Sequence, residues 1–175
     1  MTIRRFQTED QKPVCDVISG IMNGEFREEK TAYPSDDLAH IPRSYGGLGE
    51  AFFVAARNGK IVGTVAVKKE DERVALMRRL FVAPDYRRQQ IGLKLIGRAL
   101  RFCGEMGYQE VVFKTTSRME GAIKTCEKCG FVPRAKLRLG TLELLKFSLS
   151  LKNGLKASQK NRRKNANFRR QKKIG

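Results

Sequence analysis

A mixed, mostly antiparallel sheet with helices on both faces is the α/β fold class that this 175-residue sequence predicts. The first half contains apolar runs joined by tight turns, which is typical of an antiparallel meander. In the second half strand and helix patterns alternate, which places helices against the faces of the sheet. A chain of this length can bury a full hydrophobic core, so we expect one folded domain.

The N-terminal elements follow from the spacing of apolar residues. Residues 2–6 suit an opening strand, and residues 11–26 have the periodicity of an amphipathic helix. The apolar positions of that helix are Val14, Val17, Ile18, Ile21 and Met22. Residues 27–50 are irregular and polar and contain Tyr33, His40 and Tyr45.

Three strands of an antiparallel meander come next. Residues 51–56 and 61–67 are apolar runs, and Asn58-Gly59 between them is a strong hairpin signal. A third strand over residues 74–82 follows the charged turn at 69–73. These strands form the first part of the predicted sheet.

The second half of the chain alternates between helix and strand. Apolar residues at helical spacing, closed by Gly107, predict a long helix: Ile91, Leu95, Ala99, Phe102 and Met106. Residues 110–115 read as a strand. Ser117 and Glu120 have the spacing of a capping box and Gly130 suits a helix end, so a second helix lies between them. Residues 137–151 predict one or two strands around Gly140-Thr141.

The turn between the third strand and the long helix is an anion site by its chemistry. Pro84-Asp85 breaks the strand, and the helix begins at Gln89 or Gln90. The first N–H groups of a helix have no intrahelical partner and carry the positive end of its dipole. Arg87 and Arg88 add full positive charges, so this turn can hold a diphosphate.

Residues 87–92, Arg-Arg-Gln-Gln-Ile-Gly, resemble the cofactor signature Q/R-x-x-G-x-G/A of the GNAT N-acetyltransferases. The final glycine is present as Gly92, whereas Gln90 replaces the first. Residues 119–131, which end in Gly130-Phe131, resemble the late helix of that family. The resemblance covers roughly residues 3–151 and implies the family's GNAT-like sheet.

Acetyl-CoA as cosubstrate, with no metal, is what the resemblance implies. It further implies that the strand over residues 74–82 diverges from its neighbour, which frees main-chain groups to pair with the pantetheine arm. The cofactor-binding residues it implies are Leu80, Phe81, Val82, Arg87, Arg88, Gln89, Gln90, Ile91 and Gly92.

The acid and base that many relatives carry are missing at their usual positions. Leu76 stands where many have an acidic residue, and Cys126 stands where many have a tyrosine. A thiol has a pKa near 8.5 against about 10 for tyrosine, so Cys126 is a candidate proton donor to the CoA thiolate, or else a small buried residue. Glu120 and Glu72 are candidate bases acting through water, or else surface or capping residues.

The cysteines and the single histidine do not have the pattern of a zinc site or of a redox pair. Cys126 and Cys129 form a single C-x-x-C, and His40 is the only histidine, so a zinc site is not expected. The two thiols lie near a helix C-terminus, where the dipole opposes a thiolate. We predict free thiols, and His40 stays a candidate only because it lies in the segment that forms part of the acceptor pocket in the resembling family.

A basic tail separates from the folded domain by composition. Residues 152–175 contain ten Lys or Arg and no acid, leaving +8 of the net charge of +18 for residues 1–151. Composition therefore predicts a disordered tail over residues 152–175, and the resemblance implies a GNAT-like acetyltransferase domain over residues 1–151. The tail is either an electrostatic arm for nucleic acid or the ribosome, or a solubilising segment.

Two functions remain open. The first is an N-acetyltransferase that moves an acetyl group from acetyl-CoA to a primary amine of a small molecule, an amino acid or a protein by direct attack. The second is a catalytically weak acyl-CoA-binding or regulatory protein whose tail docks on nucleic acid or ribosome. Without an apolar signal segment or membrane span, we expect a cytoplasmic protein, monomer or homodimer, with no membrane partner.

Overall fold

The computed structural model describes residues 1–151, so the predicted tail over 152–175 lies outside the described residues. The strands in this part are β1 (Thr2–Arg5), β2 (Ala51–Arg57), β3 (Lys60–Lys69), β4 (Val74–Val82), β5 (Glu110–Thr116), β6 (Val132–Leu139) and β7 (Leu142–Ser150). The helices are α1 (Gln11–Gly24), α2 (Asp36–Ala39), α3 (Ile41–Tyr45), α4 (Ile91–Met106) and α5 (Glu120–Lys128).

These seven strands form one sheet in the order β1-β2-β3-β4-β5-β7-β6. Every neighbouring pair is antiparallel except β4 and β5, which are parallel. Asn58 and Gly59 both have positive φ in the turn between β2 and β3, as a tight hairpin requires. The predicted mixed, mostly antiparallel α/β sheet is therefore confirmed.

Helices cover both faces of the sheet, as predicted. On one face α4 and α5 pack over a core that includes Phe53, Met77 and Leu95. On the other face α1 packs over a second core that includes Ile18, Val54 and Ala66. Each central strand contributes alternate residues to the two cores, because successive side chains of a strand point to opposite faces. The sheet is thus buried on both sides at its centre.

Several sequence expectations need correction. The Ser117–Glu120 capping box is wrong: Met119 is the N-cap of α5, and the Ser117 amide instead donates to Glu143 O at 3.0 Å, which holds Ser117 in the preceding turn. The irregular segment contains a 3-10 turn, Arg27–Ala32, as well as the short helices α2 and α3. The C-terminal strands begin at Val132, five residues earlier than expected.

An ion pair between the buried Arg79 and the partly buried Asp37 holds the α2–α3 segment on the sheet. Arg79 of β4 donates from Nε to Asp37 Oδ2 at 3.0 Å and from Nη2 to Pro34 O at 2.5 Å. Tyr45 of α3 donates to the same carboxylate. Burial raises the pKa of Asp37, but the hydrogen bonds from Arg79 and Tyr45 outweigh it and hold this pKa below its usual value. The charged carboxylate is therefore the state that the fold stabilises.

Among residues 1–151, no helix combines the length and the apolar character that crossing a bilayer requires.

Substitution of Asp37 tests this ion pair. We expect Asp37→Asn to lower the free energy of unfolding at pH 7 by about 3 kcal/mol, because it leaves the buried Arg79 without its countercharge. The pKa of Asp37 is depressed in the folded state, so its contribution is fully present above the unfolded pKa of about 3.9 and is lost as the pH falls further, through the folded pKa. Urea unfolding at several pH values, from about 2.5 to about 7, measures both effects.

Asp16→Asn is the control, because Asp16 forms an exposed i,i+4 pair with Lys12. Such pairs contribute about 0.3–0.5 kcal/mol at most. Equal effects of the two substitutions at pH 7 would contradict a structural role for the Asp37–Arg79 pair.

Candidate active site

A cavity of about 570 Å³ lies between β4, the start of α4, α5 and the end of α1. Its lining is mainly apolar, with the basic turn after β4 at one side. The lining residues are Ile21, Phe26, Leu80, Phe81, Val82, Tyr86, Arg87, Arg88, Gln90, Ile91, Gly92, Leu93, Met119, Gly121, Ala122, Thr125 and Lys128. Elements distant in sequence therefore form a single cleft.

The divergence of β4 from β5 opens this cleft. The two strands pair only over Val74–Met77, although β4 continues to Val82 and β5 to Thr116. A bulge interrupts the pairing of β3 with β4 just after this point, where Arg79 has a φ of 53°. A bulge bends its strand and increases the local twist. The second half of β4 therefore has a free edge, as the resemblance implies.

Val82 presents its backbone at this free edge. The Ala83 amide donates to Val62 O of β3 at 2.9 Å, and backbone groups alternate in direction along a strand. The N–H and C=O of Val82 therefore point away from β3. Arg87 Nε already donates to Val82 O at 3.0 Å. A ligand with amide groups that lies along this edge could accept a hydrogen bond from Val82 N–H. It could also donate to Val82 O, which already accepts from Arg87.

The turn before α4 has an unusual backbone. Arg88 and Gln90 have φ values of 58° and 61°, in the left-handed region that favours glycine. This explains why the family signature has glycine at the position of Gln90, and why glutamine there costs about 1 kcal/mol of backbone strain. Gln90 is the N-cap of α4 and its side chain does not cap the helix. The amides of Ile91, Gly92 and Leu93 are left free at the cavity.

Of the two arginines in this turn, one forms an ion pair with the described part of the chain and the other does not. Arg87 makes a bidentate pair with Glu25 at 2.7 Å for both contacts, and this hydrogen bonding lowers the pKa of Glu25. Within residues 1–151, Arg88 has no carboxylate partner. Gln89 accepts from Arg57 at 2.6 Å and turns away from the cavity. Eight of the nine implied cofactor residues therefore line the cavity, with Gln89 outside it, and their binding of acetyl-CoA stays a prediction.

Gly92 brings α4 and α5 together beside the cavity. A Cβ built at this position would lie 3.3 Å from Thr125 Cγ2 and 3.9 Å from Val82 Cγ2, with the first distance tighter than ordinary van der Waals contact. The lack of room for a Cβ therefore explains why the signature has glycine at this position. The absent side chain leaves the first-turn amides of α4 open to a ligand.

The candidate catalytic residues of α5 lie apart from the cavity lining. Cys126 is fully buried in the core under α4, and burial raises the pKa of its thiol well above the ordinary range. This placement fits the packing alternative. Glu120 is exposed and pairs with Lys124 at 3.4 Å, while its neighbours Gly121 and Ala122 reach the cavity. A catalytic role for Cys126 or Glu120 is still untested.

Glu29 is the carboxylate that sequence reasoning missed. It lies in the 3-10 turn after α1 and is 2% exposed. Its Oε1 is 3.7 Å from Arg118 Nε, whereas its Oε2 has no hydrogen-bond partner in the protein. A buried carboxylate oxygen without a hydrogen bond is energetically costly, so Glu29 is an exception among buried polar groups. The only sequence signal was an acidic pair, Glu28-Glu29, inside the segment expected to form part of the acceptor pocket.

A second cavity of about 290 Å³ lies beyond this turn. It is lined by Ala32, Tyr33, Lys114, Thr115, Ala135, Lys136, Leu137, Leu144, Leu145 and Lys146. Tyr33 donates to Thr115 Oγ1 at 2.9 Å and accepts from the Thr116 amide at 3.2 Å. Burial raises the pKa of Tyr33. The other aromatic and imidazole candidates of the segment lie elsewhere: Tyr45 bonds to Asp37, and His40 caps α3 through Arg43 N at 3.1 Å.

Known proteins match both the sequence and the fold. The pattern of the Acetyltransferase (GNAT) family matches residues 16–131, so the chain belongs to this family. N-acetyltransferase 8 of Rattus norvegicus is 35% identical over 101 residues, which cover 54% of this chain and 46% of that protein. The chain spans about half the length of the curated relatives that it matches.

Solved acetyltransferases have the same fold. One from Streptococcus agalactiae superposes with a TM-score of 0.76 at 21% identity, covering 86% of this chain and 98% of its own. An aminoglycoside 6'-N-acetyltransferase complexed with coenzyme A superposes with a TM-score of 0.67 at 13% identity, covering 86% and 97%. No group of three metal-ligating side chains occurs among residues 1–151.

Two glycines of α4 provide a matched test of the site. Gly97 has open space around it, so we expect Gly97→Ala to raise the free energy of unfolding by about 0.5–1 kcal/mol through helix propensity alone. We expect Gly92→Ala to show no such gain, because its methyl group meets Thr125. It should also weaken acetyl-CoA binding about tenfold, the cost of one impaired hydrogen bond. Urea unfolding and calorimetric titration measure these effects, and identical behaviour of the two variants would refute the packing role of Gly92.

Proposed function

We propose that this protein transfers an acetyl group from acetyl-CoA to a primary amine of a small molecule, an amino acid or a protein by direct attack. The observation that carries the proposal is the free edge of β4 beside the open N-terminus of α4, within one cavity. The match of residues 16–131 to the GNAT family supports acetyltransferase activity in general. That the acceptor is a primary amine is our inference.

The cofactor would lie along the cavity with its diphosphate at α4. There the amides of Ile91, Gly92 and Leu93 and the unpaired Arg88 favour an anion. The pantetheine arm would follow β4 and pair with the free backbone of Val82. This arrangement directs the thioester toward the point where β4 and β5 diverge, and backbone donors at that point would polarise its carbonyl.

The reaction needs a neutral amine and a proton for the departing thiolate. An alkylammonium loses one proton to a base before its nitrogen attacks the thioester carbon. When the tetrahedral intermediate collapses, the carbon–sulfur bond breaks and the second nitrogen proton ends on the CoA thiolate. The products are an amide and free CoA, so atoms and charges balance without a metal or an oxidant.

Glu29 is our candidate for the base. It lies along the chain between Phe26, which lines the first cavity, and Tyr33, which lines the second. Its Oε2 is the carboxylate oxygen that the described part of the protein leaves buried and unpartnered. A water admitted with the acceptor would connect the amine to this oxygen. No carboxylate occurs within β4 itself, where Leu76 takes the place of an acid.

Turnover by the Glu29→Gln variant tests both the reaction and the base. Wild-type protein should release free thiol from acetyl-CoA with an amine from a panel, and the variant should have a kcat reduced about 100-fold. The thermal shift with acetyl-CoA should be unchanged. Glu28→Gln is the control, because Glu28 is exposed and pairs with the same Arg118. Equal activity of both variants would exclude Glu29 as the base.

A catalytically weak acyl-CoA-binding protein is the second candidate, favoured by Leu76 in β4 and the strained Gln90 in the cofactor turn. It predicts binding of acetyl-CoA without thiol release for any amine. Docking of the tail, 152–175, on nucleic acid or ribosome belongs to this candidate and stays a prediction.

A further inference from the structure

Two lysines face each other in the second cavity. Lys114 of β5 and Lys146 of β7 are direct partners in the register of these antiparallel strands, so their side chains lie on the same face. Both line the cavity. Like charges directly opposite each other destabilise a strand pair. The two ammonium groups therefore share one concave surface.

The positive charge in this cavity is only partly neutralised. Lys114 Nζ lies 3.1 Å from Glu70 Oε1, and Lys136 Nζ lies 2.9 Å from Glu143 Oε2. Lys146 has no carboxylate partner within residues 1–151. The lining includes three lysines and no acidic residue. An anionic group is thus the ligand that this surface would attract.

The remainder of the lining is apolar. Leu137 and Leu144 are direct partners between β6 and β7, and Ala135 is the partner of Lys146. An apolar surface therefore lies next to the side chain of Lys146, for which residues 1–151 offer no carboxylate partner. A volume of about 290 Å³ suits a small molecule rather than a folded partner.

The same two chain segments build both cavities. One segment supplies Phe26 to the first cavity and Tyr33 to the second, and the other supplies Met119 to the first and Thr115 to the second. Glu29 and Arg118 contact each other between these positions. Lys114 and Thr115 of the second cavity directly follow Phe113, the last residue of β5 that pairs with β4. A molecule in the second cavity would therefore lie beside the point where the two strands diverge.

From these observations we propose that the second cavity is the acceptor pocket and that it selects an amine bearing a carboxylate beside an apolar portion, such as an apolar amino acid. Lys146 binds the carboxylate, with Lys114 adding positive charge, and Leu137 and Leu144 contact the apolar side chain. This inference rests on the proposed function and specifies the class of its acceptor. It requires nothing from the tail.

Binding and turnover with matched probes test this proposal. The acetylation rates of leucine and leucinamide are compared, and N-acetylleucine and N-acetylleucinamide are titrated calorimetrically into the protein loaded with CoA. We expect the wild type to favour each carboxylate over its amide at least about tenfold, the effect of one charge-assisted hydrogen bond. The preference should shrink as the ionic strength rises.

Substitution at Lys146 should remove this preference. We expect Lys146→Gln to lose the discrimination and Lys146→Glu to reverse it, through KM more than kcat, with an unfolding temperature equal to or above that of the wild type. Lys124→Gln, on the exposed face of α5, is the matched control and should behave like the wild type.

The results of these experiments distinguish failure of the pocket assignment from failure of the proposed function. Acetylation of both amines at equal rates, together with equal binding of the two products, overturns the pocket assignment and leaves the proposed function standing. Lys146-dependent binding of N-acetylleucine, without thiol release from acetyl-CoA for any amine of the panel, supports the pocket and refutes the proposed function. No binding of either product, or discrimination that persists in Lys146→Gln, overturns the assignment.

Discussion

Strand β4 pairs with β5 only as far as Met77, and the bulge at Arg79 turns its remaining residues away from that neighbour. Three contacts hold this bulge in place. Thr64 Oγ1 donates to Arg79 O at 2.7 Å, and the guanidinium of Arg79 bonds to Asp37 and Pro34 O. A left-handed residue in a strand is strained, and it persists only where the surrounding contacts fix its conformation. The ion pair that anchors α2 and α3 therefore also holds open the cleft on which the proposed chemistry depends.

Backbone groups supply most of the proposed cofactor contacts. The free edge of Val82 and the first amides of α4 need no particular side chain, except that position 92 requires glycine because a Cβ there would crowd Thr125 Cγ2. This explains how the site can have the family's architecture with Gln90 in place of a glycine. The side-chain charges are divided, because Arg87 is paired with Glu25 and Arg88 is left for a ligand. The proposed acceptor pocket depends instead on side chains, namely those of Lys146, Leu137 and Leu144.

The sequence predicts those turns and helices whose formation depends on the local sequence. It does not predict those that depend on contacts between distant parts of the chain. The hairpin at Asn58-Gly59 and the helix end at Gly107 have dedicated turn chemistry, and both occur as expected. The helices α2 and α3 escaped prediction because each has only four or five residues and depends on contacts such as the Asp37–Arg79 pair. The capping box failed because the backbone of Ser117 bonds to β7. Glu29 escaped because burial of a carboxylate leaves no mark in the local sequence.

The exchange rate of the Val82 amide tests the central claim, namely that the divergence of β4 from β5 forms the acetyl-CoA site. Hydrogen exchange followed by NMR, with and without saturating acetyl-CoA, reports this amide directly. We expect the Val82 amide to exchange at least about tenfold more slowly with the cofactor bound, since its N–H gains a partner. The amides of the edge strand β6 should keep their rates. Tight binding of acetyl-CoA, seen as a thermal shift, with no change at Val82 would contradict the account.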